Sequence, residues 1–335
     1  MKHQFLALAV AALSFTACTN EDNITQDFLA DTPIKLNVSV DEPTTRAGYS
    51  NAELPEGFVL KVDQLNADKY NYLVWAKKVG DNWKTYKLNK ETNSVTDEEV
   101  TMLWANMNDK VDVTVSAISD INYRDGRSVH GSVNKHPTDQ TTPDALKKAD
   151  FLAMPLTPVA PIQDGINVEF KHTMSKINLT IELGSEYEFT QEDVDTKITD
   201  VKIDGSKVEA FYHINTSNYD PQFQFSGHFG APASISPYHT GTTPYSKTDG
   251  VITKAKATYE AILIPQTIAS GEFTVSFKVE GKLYEWAYNK DLTLASNTAY
   301  TLKLIAGDDK VQPASFSVAP WGVGNGENGE KKETD

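Results

Sequence analysis

The sequence predicts an all-β protein built as two β-sandwich units, and three observations carry that expectation. Apolar residues alternate with polar ones at a period of two over most of the chain. Helix-period patterns are nearly lacking. The length of 335 residues with 39% apolar content suits about two domains of roughly 100–200 residues each. One apolar face per strand gives each sheet a dry and a wet side, and two sheets bury their dry sides against each other.

The chain opens with Lys2 and an unbroken apolar run over residues 5–13, the pattern of a secretory signal. That run is too short to span a bilayer, which takes about 20 residues. The only cysteine, Cys18, follows the small-residue stretch Phe15-Thr16-Ala17, which resembles a bacterial lipobox. Residues 1–17 then read as a signal peptide and Cys18 as the lipidation site. Two acyl chains anchor far better than one. A single cysteine excludes an internal disulfide. A polar, acidic tether, Thr19-Asn20-Glu21-Asp22, comes next.

The body of the chain reads as strands in order. Ile34, Leu36, Val38 and Val40 alternate with Lys35, Asn37 and Ser39. The pattern repeats at Phe58, Leu60 and Val62, at Val111, Val113 and Val115, at Val168, Phe170, His172 and Met174, and at Ile177, Leu179, Ile181 and Leu183. Further runs cover 198–203, 208–214, 259–264, 273–279 and 283–288, the last two joined by a hairpin turn at Glu280-Gly281. Tyr300, Leu302 and Leu304 precede a last short run over 316–321. One short helix is expected at 142–149, with Thr142 as cap and Pro143 at the first helical position. The polar stretch 186–196 reads as the boundary between domains 47–187 and 188–335, the second ending in a polar tail. Residues 123–142 and 225–250 read as long loops.

The residues offer little chemistry. The net charge is −15, from 31 basic and 46 acidic side chains, and no basic cluster exists to meet a nucleic acid. The seven histidines form no metal-binding pattern; His130 and His136 stand six apart in a loop, and His172 falls on the apolar phase of its strand. No Gly-x-Ser-x-Gly occurs, and Gly322-Val323-Gly324-Asn325-Gly326 opens no helix. No catalytic residue, metal or cofactor is expected, and the chain reads as no enzyme. Trp75, Trp83, Trp104, Trp286 and Trp321 read as core or sheet-edge packing, with a sugar platform as the other reading.

One arrangement is less ordinary. The strand over 34–40 leads into a polar link, Asp41-Glu42-Pro43-Thr44-Thr45, and then Arg46-Ala47-Gly48. Such links are protease-accessible. Cleavage between Arg46 and Ala47 would remove the lipid, the tether and one whole strand (residues 18–46), leaving an apolar groove and an open sheet edge. Open edges recruit strands from other chains, and a head-to-tail contact that does not close makes a filament. The alternative is that Arg46 merely begins an exposed linker.

The chain resembles the Bacteroides-type fimbrillins, the family of type V pilins and fimbrillin-like lipoproteins. The resemblance rests on Cys18 and its lipobox, the acidic tether, the 34–40 strand, Thr44-Thr45-Arg46-Ala47-Gly48, the run from Val168 through Met174 to Ile177, and Tyr300-Thr301-Leu302-Lys303-Leu304 with Trp321 downstream. It implies two tandem transthyretin-like β-sandwich domains, export as an outer-membrane lipoprotein, and maturation by an Arg-specific protease at Arg46. It further implies assembly with other fimbrial subunits into a surface fimbrium by strand exchange, serving adhesion. Ile34, Leu36, Val38 and Val40 match the removed strand. In stalk subunits of the family the C-terminal segment is the donor; here only Phe316, Val318 and Trp321 suit a groove, which points toward a tip or accessory adhesin as much as a stalk. A monomeric surface lipoprotein that binds glycans is the alternative function.

Overall fold

The computed structural model describes residues 31–40, 53–64, 67–89, 94–117, 121–122, 129–133, 136–214, 223–307 and 310–321. Nearly all of the regular structure is strand. The first half holds β1 (Leu36–Val40), β2 (Gly57–Gln64), β3 (Tyr72–Val79), β4 (Asn82–Asn89), β5 (Ser94–Glu99), β6 (Val111–Ser116), β7 (Ile121–Asn122), β8 (Val129–Val133), α1 (Pro143–Ala149), β9 (Leu152–Val159) and β10 (Ile166–His172). The rest holds β11 (Ser175–Leu183), α2 (Gln191–Lys197), β12 (Ile198–Ile214), β13 (Phe223–Ile235), β14 (Tyr238–Thr243), β15 (Ser246–Thr248), β16 (Val251–Thr253), β17 (Lys256–Leu263), β18 (Thr267–Ile268), β19 (Thr274–Val279), β20 (Lys282–Ala287), β21 (Leu292–Thr293), β22 (Thr298–Ala306) and β23 (Val311–Pro320).

Three sheets organise these strands. An eight-stranded sheet runs β1-β10-β9-β6-β2-β3-β4-β5, a five-stranded sheet β14-β17-β11-β22-β23, and a six-stranded sheet contains β20-β19-β12-β8-β7 with β13 also on β12. The eight-stranded sheet wraps one apolar cluster, in which Phe58, Leu60, Val113, Val115, Val168 and Phe170 are fully buried. Its two outer strands, β1 and β5, leave it open. The other two sheets pack face to face: Leu179, Ile181 and Leu302 on one side meet Ile203, Val275 and Phe277 on the other. A third cluster, with Leu146, Met174, Tyr212, Ile262, Ile264 and Trp321, joins the two halves.

The expected alternation is visible in burial. β10 reads buried at every second residue, and so does most of β11. The helix at Thr142 forms as its sequence predicts: the Thr142 Oγ1 accepts from the Ala145 N–H at 3.2 Å, and Pro143 sits where its missing N–H costs nothing. The Glu280-Gly281 turn joins β19 and β20 with both residues at positive φ, +50° and +84°, the conformation of a tight hairpin turn.

Two loop readings change, and two features bear on the expected domain boundary. The 225–250 stretch is not a loop: β13, β14 and β15 occupy most of it. Its Ser, Thr, Gly and Pro content hides the alternation, and register shifts between β12 and β13 accommodate the irregular backbone. The 123–142 stretch likewise contains β8, paired with β12. The polar run 186–196 ends in α2, whose Thr190 and Asp193 cap each other reciprocally; an aspartate at the position usually held by Glu or Gln conceals that box. The strand 177–183, read as the end of the first unit, lies in β11 and pairs with β17 and β22 of the second half.

Candidate assembly site

β1 lies at the edge of the eight-stranded sheet and pairs in parallel with β10, Leu36 opposite Ile166, Val38 opposite Val168 and Val40 opposite Phe170. Parallel pairing needs a long crossover, and here almost the whole first half of the chain intervenes between the two strands. The register puts Leu36, Val38 and Val40 on the same side as the buried residues of β10. Val40 is buried, and Ile34, Leu36 and Val38 are partly buried against the same cluster. At about 1.5–3 kcal/mol for a fully buried side chain of this size, four partly covered ones contribute on the order of 5 kcal/mol.

The chain ahead of β1 is tied down too. Ile34 N–H donates to Met102 O at 2.9 Å, Asp31 N–H to Trp104 O at 3.0 Å, and Trp104 N–H to Thr32 O at 3.0 Å. Met102 and Trp104 are fully buried core residues, so the 31–40 segment covers both a sheet edge and a short wall beside it. Asn37 Nδ2 donates to Asp164 O at 2.9 Å and Asn167 Oδ1 at 3.0 Å. Gly165 makes the close approach: its φ is +93°, and a Cβ there would lie 2.3 Å from Lys35 O. Only glycine fits.

The C-terminal strand is the second element of interest. β23 is the edge of the five-stranded sheet and pairs antiparallel with β22, Phe316 opposite Leu302 and Val318 opposite Tyr300. Phe316 packs on Tyr288, with ring centres 5.2 Å apart, and Val318 is 55% exposed. Trp321 is buried where β23 ends. It stacks on His172 with ring centres 4.3 Å apart and planes within 4°, and its main-chain N–H donates to Asn297 O at 2.8 Å. His172 is the last residue of β10, so the strand that holds β1 also touches the end of β23.

Polar side chains support this junction. His172 Nδ1 lies 2.9 Å from Asp150 Oδ1, both side chains fully buried. Lys176 Nζ pairs with Glu260 at 3.0 Å and stands 5.8 Å from the Trp321 ring centre. His172 is thus a core histidine, as its apolar phase predicts, held by Asp150 through Nδ1 while its buried Nε2 has no hydrogen-bond partner among the described residues. His136 Nε2 donates to Ile262 O at 2.7 Å, and burial pushes its pKa down to about 4. Gln140 exchanges two hydrogen bonds with the Ile262 main chain, at 2.7 and 2.8 Å, as a paired strand would. Among the described residues no three or more His, Cys, Asp or Glu side chains cluster to hold a metal, and no helix is long and apolar enough to cross a membrane.

The sequence-predicted residues therefore divide. Ile34, Leu36, Val38 and Val40 come together on β10, and Phe316, Val318 and Trp321 come together along β22 and the junction. Cys18, Arg46, Ala47 and the Gly322–Gly326 run lie outside the described residues, as does the side chain of His130. Trp83 in β4 and Trp286 in β20 belong to different sheets, each packed against its own hydrophobic cluster. Sequence reasoning placed Trp104 in the core, where it is, but missed its contact with the 31–40 segment, and it missed Met102 and Gly165; a Gly ahead of an alternating run is the one signal that marks such a close approach.

The chain is an all-β assembly of stacked open sheets, with an apolar strand at one edge and its C-terminal strand at another. A family model described as fimbrillin-like matches residues 25–321, and the chain belongs to that family, a class of fimbrial and adhesion subunits of the cell surface. Its fold is similar to that of a putative cell adhesion protein from Bacteroides uniformis (TM-score 0.53, 17% identity, covering 86% of this chain and 98% of that one). It is also similar to one from Bacteroides ovatus (TM-score 0.56, 13% identity, covering 88% and 99%). No curated protein matches the sequence.

Proposed function

We propose that this chain is a fimbrial subunit that reaches the outer membrane as a lipoprotein through Cys18, is cut between Arg46 and Ala47 by an Arg-specific protease, and joins other subunits by strand exchange in a surface fimbrium that serves adhesion. The observation that carries the reading is the position of β1: an edge strand with apolar side chains, one short link upstream of the first arginine. Its loss would bare the β10 main chain and uncover Ile166, Val168, Phe170, Met102 and Trp104 at once. A strand from a second subunit restores both the ladder and the burial. The exchange needs no catalysis by this chain. Phe316, Val318 and Trp321 are the candidate donor side chains, since β23 is itself an edge strand with few core contacts. The two sandwich units meet, in this reading, at Thr173–Met174, between the strand that holds β1 and the first strand of the second unit.

Electron microscopy of the purified chain before and after limited trypsin treatment tests the proposal. Filaments that form only after cleavage, from chains whose N-terminus is Ala47, support it. Cleavage at Arg46 that yields only monomers defeats it.

A further inference from the structure

A cavity of about 350 Å³ opens on the second half of the molecule, at the lower end of the range of about 300–1,000 Å³ for small-molecule sites. Its walls come from α2, β12, β14 and β17, and both flanking strands are irregular beside it. β12 carries a bulge between Thr199 and Lys202, with Asp200 at φ +54°, and β14 carries one between His239 and Gly241. Bulges re-aim side chains next to sites, and a non-glycine residue held at positive φ is strain that the surroundings maintain.

The polar side chains there are held in order. Thr242 donates its hydroxyl proton to Asp195 Oδ1, so it accepts from His239 Nε2–H at 3.0 Å. That orients the imidazole ring, with Nε2 as the donor. Gln191 holds the other Asp195 oxygen at 3.0 Å, and these bonds keep the carboxyl below its usual range, an ionised acceptor. Lys202 Nζ lies 2.6 Å from Ser236 Oγ. Tyr259, only 7% exposed, lies against His239 with ring centres 5.1 Å apart. Its hydroxyl, within electrostatic reach of Asp195, has no hydrogen-bond partner among the described residues. The hydroxyl oxygen is not sealed among the buried unpaired atoms, so it stays open to a ligand in the cavity.

We propose that this cavity binds a single neutral sugar residue, the Tyr259 hydroxyl, Asp195 and Lys202 meeting its hydroxyls and Ile198, Val201 and Pro237 meeting its C–H face. The lining supplies acceptors, donors and apolar wall together, which is what a pyranose presents. Asp200 is paired with Lys278 at 2.8 Å, which leaves the ionised Asp195 against Lys202 in the lining, no net positive charge to draw phosphate or an acidic sugar. The inference deepens the adhesion reading and rests on it only for the purpose of binding, since recognition here needs no cleavage at Arg46.

The test is saturation-transfer NMR on the uncleaved full chain with glucose, galactose, mannose, fucose and N-acetylglucosamine, and with N-acetylneuraminic acid and inorganic phosphate as anionic probes. At least one neutral sugar binds, and Tyr259→Phe or Asp195→Asn weakens it about tenfold or more, the loss expected for a hydrogen bond in a polar site. The first variant removes one oxygen and the second alters an exposed side chain, and unchanged melting temperatures show that both keep the fold. No binding by any neutral sugar, tighter binding by an anionic probe, or parental affinity in both variants overturns the inference. Filaments after trypsin without sugar binding sink this inference alone; sugar binding without filaments sinks the assembly reading alone.

Discussion

β1 and β23 are both edge strands, yet they are held in opposite ways. β1 has five residues, and its inward side chains Leu36, Val38 and Val40 continue the apolar face of β10 into a closed core. β23 has ten residues, and nearly all of its side chains face solvent; Phe316 is half-buried and Val318 exposed. A long backbone ladder to β22 holds it, and buried Trp321 pins its end. Ladder bonds exchange with water at a modest net contribution of about 1 kcal/mol each, whereas apolar burial is lost outright when a strand leaves. In the proposed assembly β1 would therefore act as a plug that stays until its covalent link is cut. β23 frays from its solvent side and is restrained at one anchor. The proposed assembly, which would remove one strand and lend another, calls for these two kinds of attachment.

The largest expected effect is all-or-none. Arg46→Ala leaves β1 attached, so the trypsin-treated variant stays monomeric by light scattering and microscopy where the parent forms filaments. Filaments from the variant would mean that β1 leaves without cleavage, and the contrast between the strands would fall. Next comes Trp321→Ala. Removing a buried tryptophan costs about 3–5 kcal/mol, and it strips the stacked partner from His172. Hydrogen exchange of the β23 amides accelerates while the β1 amides keep their protection. Equal loss in both strands would show that the junction, not the anchor, governs them together.

Much of this contrast is legible in the sequence, and the illegible part has physical causes. The alternation at Ile34, Leu36, Val38 and Val40 reports a half-buried strand because one face meets a core. The strand 311–320 shows no such alternation because only Val311 and Phe316 of it pack against the core, so only its last residues stand out. β13 and β14 were hidden by the same loss of periodicity, compounded by bulges. Parallel pairing of β1 with β10, more than 120 residues away, follows from no local pattern at all. The cavity beside Tyr259 needs two bulges and a helix to meet, and its residues are scattered from Thr141 to Tyr259 with no motif spacing.

A smaller effect separates the strands from the other side. Gly165→Ala places a Cβ against Lys35 O and strains a φ of +93°, at a cost of up to about 3 kcal/mol. It loosens the entry to β1 and leaves β23 untouched, so limited proteolysis at Arg46 quickens while β23 exchange is unchanged. Unaltered cleavage would mean that the side chains of β1, rather than the approach of its backbone, set its hold.

The smallest effect comes from pH and acts on the junction. His136 is buried neutral, donates to Ile262 O, and lies against Phe151, a partner of the cluster that contains Trp321. Its folded pKa of about 4 lies below the ordinary 6.5, so the unfolded chain takes up the proton first. Stability is therefore complete above pH 6.5 and falls as pH drops toward 4. The expected loss between pH 7 and pH 5 is about 2 kcal/mol, read as a lower urea midpoint. His136→Asn removes that slope whatever it costs at pH 7. Because the charge enters beside Phe151 and Ile262, acid speeds amide exchange near Trp321 and the end of β23 before it touches β1. A slope that persists in the variant assigns the acid sensitivity to another group, and loss of β1 protection at the same pH would show that the plug and the anchored strand share one opening.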